Sequence, residues 1–123
     1  VNSNKTPMYS LDMRIHWIQE IFKEYPNVKV ASYEGLTIKF AAEIGAKFIL
    51  RGIRSVADFE YEKGIADMNR MLYPEIETFF LMCSPEYSTI SSTLVREVIK
   101  YEHDVAKYVP EIVNAAIIKK FSH

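Results

Sequence analysis

The chain has 123 residues, 49% of them apolar, and its 15 Lys and Arg nearly balance 16 Asp and Glu, leaving a formal charge of −1. That length accommodates one compact domain with a real core. With no Lys/Arg-rich run, and no apolar run longer than short stretches such as Phe79 to Cys83, a nucleic-acid partner, an electrostatic membrane anchor and a bilayer-spanning helix are all disfavoured.

The order of charged, apolar and small residues that marks a signal peptide is also missing, so a soluble, cytoplasmic protein is expected. Residues 1–123 are read as a single domain. Cys83 is the one cysteine, which excludes an internal disulfide and leaves no zinc-finger spacing; packing at a strand end is its expected role. The first residue is Val1 and the polar stretch "VNSNKTPMYS" leads directly into a helix, so the chain is expected to lack its natural start.

The first helix begins at Ser10 as N-cap and places Leu11, Ile15, Ile18 and Phe22 on one face, widened by Trp17 and Ile21, before Pro26-Asn27 stops it. "VKVASY" reads as a strand from its β-branched content, and after Gly35 the segment "LTIKFAAEIG" reads as a short helix closed by Gly45. "AKFILR" follows as a buried strand ending at Arg51-Gly52. Helical periodicity returns from Val56 to about Leu72, with Phe59, Met68 and Leu72 expected on the core face and Pro74 ending the segment. "IETFFLM" is the next strand, Cys83 to Ile90 a loop, and Ser91 or Ser92 to about Tyr101 a helix. Pro110 opens the last helix over "EIVNAAIIKKF", since proline suits a first turn.

The expected order is therefore αβαβαβαα, without repeats or a linker. Strands alternating with helices call for a Rossmann-like parallel sheet with flanking helices, an α/β fold that binds ligands at the carboxyl ends of its strands. Arg51 and the loop from Cys83 to Ile90 would both emerge there.

Two polar clusters lie at that edge. In "RGIRSVADFEYE", Gly52 lets backbone approach a ligand while Arg51 and Arg54 offer planar forks that suit phosphate. The same arginines would equally form surface ion pairs with Asp58, Glu60 and Glu62. In "SPEYSTISSTLVREV", hydroxyls crowd a helix start that also carries Arg96, a combination that suits an anion; plain capping by Ser91 or Ser92 is the alternative. His16, His103 and His123 form no catalytic set with a serine and an acid, and no metal-ligand cluster is visible.

"RGIRSVADFEYE", "MNRMLYPEIETFFLMCSPEYSTISSTLVREV", "NKTPMYSLDMR" and "DVAKYVPE" together resemble the phosphopantetheine adenylyltransferases, within the nucleotidyltransferase superfamily. "ISSTLVR" alone would indicate only the superfamily, whereas the first block is much more specific. The resemblance implies adenylyl transfer from ATP to 4'-phosphopantetheine, giving dephospho-coenzyme A and pyrophosphate, with Mg2+ assisting. It also implies a homohexamer, and coenzyme A as an inhibitor.

By the same resemblance Lys5 and Arg54 are the catalytic residues, and Lys5, Thr37, Arg51 and Asn69 take the phosphopantetheine. Gly52, Ile53, Arg54, Glu62, Tyr87, Ser88, Thr89, Ile90, Ser91, Ser92 and Thr93 take ATP. No metal ligand is assigned. The family's N-terminal "GTFDPxTxGH" loop, with a histidine and threonine on the ATP phosphates, has no counterpart in this sequence. The chain is accordingly expected to lack its N-terminal strand-helix unit. A non-catalytic phosphate- or nucleotide-binding module, or an inactive fragment of such an enzyme, is the competing reading.

Overall fold

The computed structural model describes residues 7–121, which fall into two compact units. One comprises Tyr33–Thr89, and the other residues 7–32 and 90–121.

The Tyr33–Thr89 unit is built around a parallel pair of strands, β1 (Phe48–Ile53) and β2 (Glu77–Met82), in the register Ile49↔Thr78, Arg51↔Phe80 and Ile53↔Met82. Aromatic and branched side chains favour extended backbone in both segments. Helix α2 (Thr37–Glu43) precedes β1 and ends through Gly45, whose φ of +74° is a conformation that glycine adopts without a steric penalty. Helix α3 (Val56–Leu72) forms the crossover between the strands. Ser55 starts it by accepting a hydrogen bond from the Asp58 amide, and the chain leaves the helix at Tyr73, just before Pro74. Ile38, Ala41 and Ile76 form the core of this unit, with Ile49 and Tyr73 packed against them.

Side chains alternate along a strand, so Ile49, Arg51, Thr78 and Phe80 share the face covered by α3. The opposite face carries Phe48, Leu50, Phe79 and Leu81, all well exposed. Which face of α3 meets the sheet differs from the expectation. Phe59 meets Phe80 of the sheet edge-on at 5.7 Å but stays 42% exposed, and Met68 and Leu72 are exposed, whereas Glu62 and Asn69 are buried. Those two lie seven residues apart with Ile65 and Ala66 between them, a single stripe at helical spacing. The inward stripe thus mixes polar and apolar residues, a pattern that hydrophobic periodicity cannot detect.

In the other unit, α1 (Leu11–Ile21) is capped by Ser10, whose hydroxyl accepts from the Met13 amide. Helix α4 (Ser92–Lys100) is capped by Ser91, and α5 (Glu111–Phe121) follows Pro110. Ile99, Val105 and Ile117 make its core, with Tyr9, Val95 and Val113 against them. Trp17 is the buried residue of α1 and meets the Tyr9 ring edge-on at 5.0 Å. Leu11, Ile18, Ile21 and Phe22 remain partly exposed, because spacing fixes which residues share a face but not whether that face is covered.

Residues 28–33, expected as a strand, are irregular. A strand exists only where a neighbour supplies ladder partners, and among the described residues β1 and β2 pair only with each other. The loop after β2 contains one 3-10 turn, Pro85–Tyr87.

Candidate functional site

Within the Tyr33–Thr89 unit, a cavity of about 100 Å³ opens between β1, β2, α2 and α3. Thr37, Arg51, Glu62 and Asn69, four residues singled out from the sequence, line it together with Thr78 over an apolar floor of Ile49, Ile65 and Ala66. The alternation of β1 turns Arg51 toward α3. There the Glu62 carboxylate accepts from Arg51 Nε at 2.9 Å and from Nη2 at 2.7 Å. The hydrogen bonds it donates to Glu62 hold the guanidinium above its ordinary pKa despite partial burial, so Arg51 is a permanent cation.

Thr37 occupies the first turn of α2 and shares a hydrogen bond with the Tyr33 hydroxyl. Asn69 is 7% exposed, and its amide makes no hydrogen bond among the described residues. Its amide atoms are not among the fully buried ones and line the cavity, where a ligand can meet them. The site therefore offers a cation at its edge and amide and hydroxyl groups over an apolar floor. It suits a ligand with a terminal anion and a partly polar chain. Thr78 was not legible as a site residue, since a threonine in a strand normally signals only β-propensity.

At the carboxyl ends of the strands the backbone runs from Gly52 and Ile53 into Arg54, and the Cys83 amide donates to the Ile53 carbonyl at 3.0 Å. The loop bearing Tyr87, Ser88 and Thr89 therefore emerges beside Arg54, as the fold class requires. Arg54 Nε donates to Asp58 Oδ2 at 3.1 Å, and its backbone amide donates to the same oxygen at 3.1 Å. A side chain at Gly52 would meet nothing within 4 Å, so the glycine is not demanded by packing within the described residues. Ser88 donates to the Pro85 carbonyl at 2.8 Å, and Tyr87 is exposed. The ion-pair reading is thus correct for Arg51 with Glu62 and Arg54 with Asp58, while Glu60 takes no part.

The remaining sequence candidates belong to the other unit. Ser91 Oγ accepts from the Leu94 amide at 3.1 Å, so Ser91 is the N-cap of α4, and Ser92 and Thr93 occupy its first turn. Arg96 Nη2 lies 3.3 Å from Thr93 Oγ1, which brings a cation to the positive end of the helix dipole. Ile90, Ser91, Ser92 and Arg96 line a cavity of about 570 Å³ that also receives Tyr9 and Arg14. The Tyr9 hydroxyl and Arg14 Nε are buried without partners, and burial pushes the Tyr9 phenol above its ordinary pKa. Neither residue was recognisable from sequence; an arginine four residues into a helix reads as a solvated position.

Lys5 lies outside the described residues, as does His123. His16 and His103 are exposed, and no group of three His, Cys, Asp or Glu side chains comes together among the described residues. No described helix is long and apolar enough to cross a membrane.

Residues 1–98 match the cytidylyltransferase-like family. Over 119 residues the chain is 50% identical to a phosphopantetheine adenylyltransferase of Alkaliphilus metalliredigens, covering 97% of this chain and 76% of that protein. It is 44% identical over 122 residues to one of Leptospira biflexa, covering 99% and 76%. A third, from Lachnoclostridium phytofermentans, is 43% identical over 121 residues, with coverage of 98% and 74%.

Proposed function

The chain belongs to the phosphopantetheine adenylyltransferases of the cytidylyltransferase-like family, and from that premise we propose how its residues divide the work. The reaction is adenylyl transfer from ATP to 4'-phosphopantetheine in coenzyme A biosynthesis. An oxygen of the acceptor phosphate forms a bond to the α-phosphorus of ATP, the bond from that phosphorus to the bridging oxygen breaks, and pyrophosphate leaves with the electron pair.

The acceptor phosphate is already ionised, so no general base is required. Rate enhancement then comes from positioning and from neutralising charge. In this reading Arg51 receives the acceptor phosphate, Thr37 and Asn69 contact the pantetheine chain, and the apolar floor of the cavity carries its methylene groups. Arg54 and Lys5 serve the reacting phosphates. Gly52 and Ile53, with the segment from Tyr87 to Thr93, serve the nucleotide.

The observation that carries this reading is the convergence of Thr37, Arg51, Glu62 and Asn69 on one cavity, since these residues are spread along the sequence and only the fold brings them together. Magnesium enters as the Mg-ATP substrate. The described acidic side chains do not converge into a cage, and an ion held mainly by substrate phosphates and water needs none. A cytoplasmic homohexamer inhibited by coenzyme A completes the proposal, supported by family membership alone.

The test is Mg2+-dependent release of pyrophosphate from ATP on addition of 4'-phosphopantetheine. Release that requires the acceptor is the expected result. Binding of ATP without acceptor-dependent release would instead make the chain a nucleotide-binding module.

A further inference from the structure

We infer that Glu62 acts through Arg51, as a positioning residue that fixes the guanidinium so that its outward edge meets the phosphate of the acceptor. This deepens the reading above and rests on it. It gives Glu62 a different task from nucleotide contact.

The geometry is that of a fork held from behind. Glu62 takes Nε and Nη2 of Arg51, one with each carboxylate oxygen. Its side chain is 11% exposed while that of Arg51 is 51% exposed, so the acid lies on the inner side and the guanidinium on the outer. The Arg51 guanidinium makes no other hydrogen bond among the described residues, which leaves Nη1 and the second hydrogen of Nη2 for an incoming oxyanion. A planar fork bound along one edge presents its other edge in a defined direction.

The anchor is a buried position on a long helix. Glu62 stands in the second turn of the 17-residue α3, with Ile65, Ala66 and Asn69 continuing the same buried stripe. A carboxylate so placed is poorly suited to meet a nucleotide directly. Both oxygens already accept from Arg51, and an exposed negative charge would repel phosphate. Paired with Arg51, it instead sets the direction of a positive one.

The experiment measures, by calorimetry, the Kd of ATP, of 4'-phosphopantetheine and of unphosphorylated pantetheine for the unaltered chain, Glu62→Gln, Arg51→Ala and the double variant. Glutamine accepts from one Arg51 donor but turns its own N–H2 toward the other. We expect Glu62→Gln to weaken 4'-phosphopantetheine about tenfold, the size of one charge-assisted hydrogen bond, with pantetheine and ATP unaffected. In the double variant Glu62→Gln should add nothing to the loss from Arg51→Ala, because the two act as one unit.

Weakened ATP binding with the acceptor unaffected, or losses that add in the double variant, would overturn the inference. So would an unchanged acceptor Kd in Glu62→Gln. If Glu62→Gln does not fold, Glu62→Asp keeps the charge but withdraws it by one methylene, and the same comparison applies. Failure of the unaltered chain to bind 4'-phosphopantetheine at all would remove the acceptor reading and this inference with it, whereas indifference of Glu62→Gln beside a binding-competent unaltered chain removes this inference alone.

Discussion

The Arg51 guanidinium and the Glu62 carboxylate lie fork against fork, with contacts of 2.9 and 2.7 Å, across the gap between strand β1 and helix α3. Because Glu62 is buried and Arg51 is half exposed, the pair binds helix to sheet while keeping a positive edge at the cavity.

Removing the arginine should therefore cost stability as well as binding. Arg51→Ala leaves a carboxylate in a buried position without its partner. Fully buried pairs lose about 3–5 kcal/mol in such a case, and solvent on the Arg51 side should reduce the loss to about 1–2 kcal/mol. Arg51→Lys, which restores charge without the fork, should recover only part of it. Urea denaturation of the three proteins decides this; equal midpoints for Arg51→Ala and the unaltered chain would show that the pair does not hold α3 to the sheet.

Asn69 offers a contrast. Its side chain lines the cavity without a hydrogen-bond partner among the described residues, and its polar atoms are not fully buried, so Asn69→Leu, close in volume, should leave stability unchanged or raise it by less than about 1 kcal/mol. The same change should raise the KM for 4'-phosphopantetheine while leaving that for ATP alone. A less stable Asn69→Leu protein with an unchanged acceptor KM would mean that the amide serves packing.

Ser91 separates capping from ligand binding. Ser91→Ala removes the bond to the Leu94 amide and should cost about 1 kcal/mol. Ser91→Asp preserves the cap and places a negative charge at the helix start, where it suits the dipole but repels phosphate. That variant should melt like the unaltered protein yet bind ATP at least tenfold more weakly, about 1.4 kcal/mol. Undiminished ATP affinity in Ser91→Asp would take the start of α4 out of the nucleotide site.

Tyr9 predicts a pH dependence. Burial raises its phenol above the ordinary value of 10.0, so the folded chain retains a proton that the unfolded chain releases first. Its contribution to stability is fully present below about pH 10 and is lost as pH rises through the folded value. Tyr9→Phe should remove this alkaline loss. At neutral pH it should also raise stability by about 1 kcal/mol, since the buried hydroxyl has no partner. Parallel stability curves for the two proteins from pH 8 to pH 11 would contradict the assignment.

The sequence by itself determined the helices and the two paired strands, because their signals are local. Ser10, Ser55 and Ser91 each cap a helix through a hydroxyl. Gly45 and Pro74 sit at helix ends for reasons of backbone conformation alone. The long blocks around Arg51 and Ser91 likewise placed the chain in its family without any geometry. Tertiary structure decided what depends on partners. Residues 28–33 have strand-like side chains but no neighbouring ladder among the described residues, so they stay irregular. Helix α3 turns Glu62 and Asn69 inward instead of Met68 and Leu72. A hydrophobic count ranks each side chain separately, whereas a carboxylate becomes an inward residue only when an arginine on an adjoining strand meets it. That meeting depends on the pleat of β1 and the register of α3 upon it, which no local stretch of sequence specifies.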